Sequence, residues 1–333
     1  MSLTVPASGA PLYGGHRLQP AHFEPDHVPV EVARHGTATR TLPVGSPGKV
    51  GILELEFAVR GEGDGRRTEL VHHFQKTPLQ IMRPLYHDPL RPDMPYTYLM
   101  TTGGGILHGD RQRMDLRFGP GSSAHVTTQA HTKVYRMDAG YATALVNIRA
   151  DEDAYVEYLP DPLIPFAGAR FSQRTAAVLH PTATLVTGET VYAGRLTRGE
   201  RNAYDVLALD FEVRRPDGRP IALDRARFVP EAGRVGGLSV LADHDIVSTL
   251  YAVSPLAPAA RIAQTLHDAV SAAAARAGDP ALRFGVSTLP DDAGAWLRVL
   301  ADDTIAALAV QRAAADAVHE LLTGRPAPLV RKS

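Results

Sequence analysis

The sequence predicts a mainly β protein: an irregular β-helical or solenoid-like body of many short strands, with a few C-terminal helices. Three observations predict it. From Lys49 onward, short runs alternate apolar and polar residues, as in Leu53, Leu55, Phe57 and Val59 set against Glu54, Glu56 and Ala58. That is the pattern of a half-buried strand. Proline and glycine, 26 and 29 of the 333 residues, separate many of these runs, and no clear helical stretch interrupts them before Pro258. This disfavours repeated βαβ units. Beyond Pro258 the period changes, with Ile262, Leu266 and Val270 recurring at every fourth residue of an alanine-rich stretch, one face of a helix. No segment repeats at a fixed length, so an all-antiparallel body and a solenoid-like one both remain open.

Taken in order, residues 1–48 are rich in Pro, Gly and His without a sustained period, and read as a flexible N-terminal extension. His16, His22, His27 and His35 fall there beside Glu24 and Asp26, at irregular spacing that fits no metal-ligand motif. Residues 49–255 form the β body. Its first strand, around Leu53 to Val59, is followed by a polar turn and a return strand over Glu69 to Lys76. Pro84 to Pro89 is a proline-bounded loop. The stretch from Thr101 to Arg136 organises the rest of the body: Gly103-Gly104-Gly105, the polar cluster His108, Asp110 and Arg111, then strand-like runs at Met114 to Phe118 and Ala124 to Thr128. Gly119-Pro120-Gly121 joins those two runs, and a chain reversal is the economical reading. Further strand candidates start at Ala144, Ala154, Leu163, Thr175, Ala183, Val206, Ile221, Leu238 and Val247. Residues 256–326 read as a helical part packed on the same domain, with helices at Pro258 to Arg276, Asp291 to Leu300 and Thr304 to Leu322 and a short strand at Leu282 to Val286. Residues 327–333 are a tail.

Composition narrows the function. With 35 basic and 36 acidic residues the chain is nearly neutral, which argues against a general affinity for nucleic acid or an anionic membrane. Without cysteine it has neither disulfides nor thiolate metal ligands, so any metal must use imidazole, carboxylate or backbone oxygen. Met1 to Gly15 has no basic flank and no apolar core, so no secretory signal is read there. No run of about 18 apolar residues is present. A cytoplasmic location is the expectation. A P-loop, a dinucleotide fingerprint, H-E-x-x-H and G-x-S-x-G are all missing.

The chemistry-bearing candidates are few. His108 and Asp110 lie two positions apart, on one face if that stretch is an extended strand, and together can hold a divalent ion weakly. The alternative is that Asp110 and Arg111 satisfy backbone groups around a glycine turn. Lys133 and Arg136 suit an anion or a partner's carboxylates, or a solvated surface. Glu157 and Asp161 flank Tyr158-Leu159-Pro160; such a pair serves either as oxygen ligands along a cation path or as the general acid and base of a polysaccharide hydrolase or lyase. Aromatic residues at 6%, with Trp296 the single tryptophan, leave few platforms for sugar rings.

The motifs resemble those of the UreD (UreH) family of urease accessory proteins. The resemblance rests on Gln80-Ile81-Met82-Arg83-Pro84-Leu85-Tyr86, on Gly103 to Arg111 (GGGILHGDR) and on Thr127 to Arg136 (TTQAHTKVYR). Glu157 to Pro162 (EYLPDP), Phe166 to Arg170 (FAGAR) and Gly199-Glu200-Arg201 follow in the family's order. It implies an irregular β-helical fold and a non-enzymatic chaperone. Such a protein binds a UreF-like partner, a UreG-like GTPase and apo-urease, with homo-oligomers arising through that complex, and assists nickel insertion. Ni²⁺ would be a transient cargo and no cofactor would be tightly bound. Carried onto this sequence, His108, Asp110, Glu157 and Asp161 are candidates for a nickel path. Gly104, Gly105, Arg111, Thr128, Lys133, Tyr135 and Arg136 are candidates for partner binding or for holding the motif together. The chain departs from the family pattern at His108 (commonly Gly), at Ala167 (commonly Asp), and at Tyr158 and Asp161-Pro162 (often Trp and Gln-Glu). An added imidazole and a missing acid imply a nickel path with a different polar lining.

Overall fold

Alternation over Leu53, Leu55 and Phe57 produces a long first strand, β1 (Val50–Arg60), whose apolar side chains turn to one face. The computed structural model describes residues 19–36, 49–233, 235–237 and 240–330. The further strands are β2 (Arg67–Lys76), β3 (Leu79–Ile81), β4 (Tyr96–Thr101), β5 (Arg111–Phe118), β6 (Ser123–Thr128), β7 (Thr132–Val134), β8 (Ala142–Ala150) and β9 (Tyr155–Tyr158). They continue as β10 (Leu163–Pro165), β11 (Arg170–Leu179), β12 (Thr184–Tyr192), β13 (Val206–Arg214), β14 (Pro220–Phe228), β15 (Ile246–Val253), β16 (Arg283–Thr288) and β17 (Gly294–Ala301). Helices are α1 (Val30–Ala33), α2 (Ala259–Ala277) and α3 (Thr304–Thr323).

The strands form two sheets. One has seven strands in the order β14-β13-β11-β8-β5-β1-β2; the other has ten, along β16-β17-β15-β12-β9-β6-β4-β3, with β7 and β10 attached at its side. From β5 to β13 the chain crosses repeatedly between them, and neighbours within each sheet run parallel. The body is therefore solenoid-like, with antiparallel strands at its ends. Its coils are unequal: Arg111 lies beside Thr143, Ala142 beside Phe171 and Arg170 beside Val206. That inequality is why no fixed-length repeat is visible in the sequence.

The core lies between the sheets. Leu55, Leu116, Ile148, Ala177 and Val213 stand in register across the first sheet. They pack in one cluster with Ala124, Val156, Leu185 and Val253, in register across the second. None of these nine is more than 2% exposed. Phe57 and Phe118 stack at 5.2 Å in the next row. On the far side of the second sheet, α2 and α3 bury Ile262, Leu266, Val270, Val310, Ala314 and Val318 against Leu250, Ala252, Leu297 and Val299. Asp303 caps α3 by accepting from the Ala306 N–H at 2.7 Å, and Gly324, at φ 70°, ends it.

The reversal expected at Gly119-Pro120-Gly121 joins two sheets, with β5 in one and β6 in the other. Both strands must turn apolar faces to the same interior, so the turn is a corner between layers. Asp291 to Leu300 is not a helix: Ala295, Leu297, Val299 and Ala301 are buried at alternate positions, and β17 pairs with both β15 and β16. Period two defeats the alanine and leucine content there. Of the expected strand at Leu238 to Leu241, Val240 and Leu241 lie in a turn and the rest falls outside the described residues. Of the expected N-terminal extension, residues 19–36 are folded against the outer face of the first sheet, where Val32 is fully buried beside Tyr141, Val206 and Ala208. The remainder of residues 1–48 lies outside the described residues. No described helix is long and apolar enough to cross a membrane.

Truncating an interior row tests this architecture. Leu116→Ala is expected to cost about 2–5 kcal/mol, read by urea denaturation as a lower midpoint with an unchanged slope.

Candidate functional site

In β6 and β9, side chains that alternate with the core point outward beneath α3. His125 and Glu157 are register partners on that outer face, and Tyr96 of β4 lies next in the row. His319, on α3, comes down from the opposite side. His125 Nδ1 lies 2.7 Å from Glu157 Oε2, and His319 Nδ1 lies 2.6 Å from Oε1. The Tyr155 hydroxyl donates to Oε1 at 2.8 Å. Exposure is 7% for His125, 4% for Glu157 and 2% for His319. An ionised carboxylate only accepts, so each imidazole meets it with an Nδ1–H. Aromatic rings close the cluster. Tyr96 stacks on His125 at 4.8 Å, His87 lies 4.3 Å from Tyr96, and Tyr155 meets His319 edge-on at 6.2 Å.

Burial pushes the Glu157 carboxyl up, but hydrogen bonds from His125 and His319, and then their charges, outweigh it. The group is held well below the usual carboxylate range. With three donors on two oxygens, Glu157 is occupied by its own protein. Among the described residues no three His, Asp or Glu side chains form a group able to hold a metal ion. Three atoms at the margin of the cluster, His319 Nε2, Tyr96 Oη and Asp88 Oδ2, are buried without a hydrogen-bond partner. A cleft of about 370 Å³ opens beside the cluster, lined by His125, Thr127, Asp161, Gln311, Arg312 and Asp316 among others.

A second polar site lies where the space between the sheets opens to solvent, between β12, β15 and β17 of one sheet and β13 and β14 of the other. Glu189 and Asp224 line a cavity of about 200 Å³ there. Burial, and then the charge of Asp224, raise the Glu189 carboxyl to about 7, against a hydrogen bond from Gln173 at 2.5 Å. Asp224 accepts from the Tyr251 hydroxyl at 3.1 Å and pairs with Arg298, whose Nε is buried without a partner.

The residues singled out in the sequence divide between these places and a third. Asp110 is 1% exposed, and its two oxygens accept the Lys49 and Leu107 N–H groups at 2.8 and 2.9 Å. It closes the glycine loop onto the start of β1. His108 sits in that same turn, not on a strand, with Gly109 at φ 75° between it and Asp110. Arg111 is buried beneath the N-terminal segment. A Cβ on Gly105 would come within 2.7 Å of the Tyr135 ring, and the Tyr135 hydroxyl donates to Gly104 O at 3.2 Å. Thr128 accepts the Asp161 N–H at 2.8 Å. Lys133 and Arg136 are exposed, and Arg136 pairs with Asp138 at 3.2 Å. Asp110 and Glu157 thus lie in different neighbourhoods, whereas Asp161 joins Glu157's surroundings through the cleft. Sequence reading missed His125, His319, Tyr155, Glu189 and Asp224. No local pattern points to His319, 162 positions from Glu157.

Glu157→Gln is expected to lower stability by about 3 kcal/mol at pH 7. The folded carboxyl titrates below the unfolded one, so its stabilisation is full above the ordinary carboxylate range and is lost as pH falls through the folded value. Urea midpoints of wild type and variant should therefore converge from about pH 5 downward. A gap that stays constant to pH 3 contradicts this account.

Comparison with known proteins adds the family. A family model described as UreD urease accessory protein matches residues 49–333. A protein of Streptomyces griseus subsp. griseus named urease accessory protein UreD 2 is 53% identical over 294 residues, covering 88% of this chain and 97% of that protein. Urease accessory protein UreD 3 of Methylorubrum populi is 36% identical over 306 residues, covering 90% and 95%. Urease accessory protein UreD 2 of Brucella suis biovar 1 is 32% identical over 300 residues, covering 90% and 96%. With its glycine loop, buried polar row and two-sheet body all inside the matched stretch, the chain belongs to the UreD family of urease accessory proteins.

Proposed function

We propose that this chain is a non-enzymatic assembly factor of the cytoplasm. It joins a UreF-like partner, a UreG-like GTPase and apo-urease, and it assists the insertion of nickel, carried as a transient cargo, into urease. The observation that carries this reading is the family match, which spans the whole folded body from β1 to α3. The names of the relatives describe urease accessory proteins, and the near-neutral charge favours protein partners over nucleic acid.

The side-chain chemistry supports a cargo that moves on. Without thiolates, carboxylate and imidazole hold Ni²⁺ at moderate strength. Asp110 and Glu157 spend their oxygens on internal donors, so their part in this reading is to hold the loop and the helix in place. Glu189 and Asp224 face a partly open cavity and accept their internal donors on one oxygen each, which makes them the better-placed oxygen donors for a passing cation. The alternative of a polysaccharide hydrolase or lyase finds no support, since Glu157 is enclosed beneath α3 and a sugar has no access to it.

The test is co-purification with separately expressed UreF-like and UreG-like partners and apo-urease, followed by urease activity after addition of nickel and bicarbonate. Activation should require this chain. Glu189→Gln with Asp224→Asn should lower it at least tenfold while the complex still assembles. Assembly with undiminished activation by the double variant would remove these two acids from the cargo path. Assembly without any activation by the wild type would leave a passive scaffold.

A further inference from the structure

One corner of the first sheet's outer face is covered by a strap, residues 19–36, that precedes the stretch matched by the family model. The strap holds one 3-10 turn at Pro20–His22 and the single helical turn α1. It is placed by what it touches. Glu24 Oε2 accepts from Arg111 Nε at 2.8 Å, and the Arg111 side chain is only 5% exposed. Arg111 otherwise donates to the backbone oxygens of Asp110 and Tyr141, at 3.2 and 3.0 Å, and lies 4.9 Å from the Tyr141 ring. Glu24 is thus the one acid paired with Arg111 among the described residues. Farther along, Val32 is fully buried against Tyr141, Val206 and Ala208. Arg34 with Glu231 at 3.1 Å and Glu31 with Arg227 at 4.0 Å fasten the rim.

The receptor under the strap is built by the body alone. Arg111 is held by the carbonyl oxygens of Asp110 and Tyr141, Tyr141 lies in the loop that enters β8, and Val206 and Ala208 belong to β13. Within the strap only Pro29 and Val32 are buried. Two buried side chains, one pair to the buried Arg111 and two exposed or half-exposed rim pairs make a small hold, one that opens locally without unfolding the sheets. Opening has a cost, because it takes the carboxylate from Arg111 and bares the apolar hole under Val32 to water. The chemistry favours exchange of one occupant for another.

We propose that this corner is a peptide-docking groove that the chain occupies with its own strap. A partner segment displaces the strap by presenting a carboxylate to Arg111 and a branched aliphatic side chain to the Val32 hole, at the spacing of Glu24 and Val32. The groove recognises an acidic and aliphatic segment that can take up the strap's turned path, and the strap sets the threshold a partner must exceed. This holds whatever the cargo of the assembly is.

The experiment uses the full chain and, as probe, a fluorescein-labelled peptide of residues 19–36. Glu24→Ala with Val32→Asp in the full chain frees the groove and leaves every groove residue intact. The labelled peptide is expected to bind that variant at least tenfold more tightly than wild type, and the same peptide carrying Glu24→Gln should lose at least tenfold. Equal binding to both proteins, or no dependence on Glu24, overturns the proposal. Hydrogen exchange on the wild type gives a second reading that needs no variant to fold. Amides of Val32 to Gly36 should exchange at least a hundredfold faster than those of β5 and β8. Exchange at the same slow rate would make the strap part of the cooperative core and overturn the proposal.

Discussion

The interior between the two sheets is the constraint on which the rest of the molecule depends. Each half coil must deliver an apolar side chain to the same narrow layer, and the row Leu55, Leu116, Ile148, Ala177 and Val213 shows this condition met across five strands. Parallel neighbours keep equivalent side chains side by side, so the rows stack as ladders. Corners between layers then fall at Gly and Pro, as at Gly119-Pro120-Gly121, and coil length is free to vary because only the rows must match. The antiparallel strands at the ends complete the sheets where the winding stops.

What the interior takes from one face of each strand, it leaves on the other. On the first sheet the outer rows are charged: Arg113 pairs with Asp115 at 2.9 Å and Arg174 with Glu212 at 2.6 Å. On the second sheet the outer face is covered by α2 and α3, so its polar residues are buried and must find partners within the protein. Glu157 does so with His125, His319 and Tyr155. Such a cluster contributes less through Coulomb attraction than through the penalty of leaving any member unpaired, and it ties a helix near the C-terminus to a strand in the middle of the chain. The glycine loop follows the same logic. Asp110 serves two backbone N–H groups, and Gly105 lets the Tyr135 ring pack where a Cβ would not fit. Several residues of the family motifs hold backbone in place rather than facing solvent.

Two polar places therefore have different characters. The Glu157 cluster is closed, with its carboxylate saturated and its acidity raised by imidazole donors. The Glu189 and Asp224 site is open to a cavity, and burial with a neighbouring like charge drives Glu189 up to about 7. Identical side-chain chemistry is turned to opposite ends by what surrounds it. One acid is held by two imidazoles and a phenol; the other accepts from Gln173 and faces a cavity.

The sequence by itself determined the strand-rich body, the return strand after β1, helices α2 and α3, and the motifs of the family, because alternation, turn residues and four-residue spacing are local signals. It left two readings of Asp110, a metal ligand with His108 and a closer of backbone groups, and only the structure puts its two oxygens on backbone N–H groups. Tertiary structure decided the rest. Gly119-Pro120-Gly121 reads as a reversal, and only the shared interior makes that reversal a corner between sheets. The stretch from Asp291 to Leu300 has helical composition, and only pairing on both sides makes β17 a strand. His125, Glu157 and His319 meet because a coil of unequal length and a covering helix bring them together, and Glu189 meets Asp224 across two sheets. Contacts between residues far apart in the chain leave no periodic trace in it, so the body was legible and its polar sites were not.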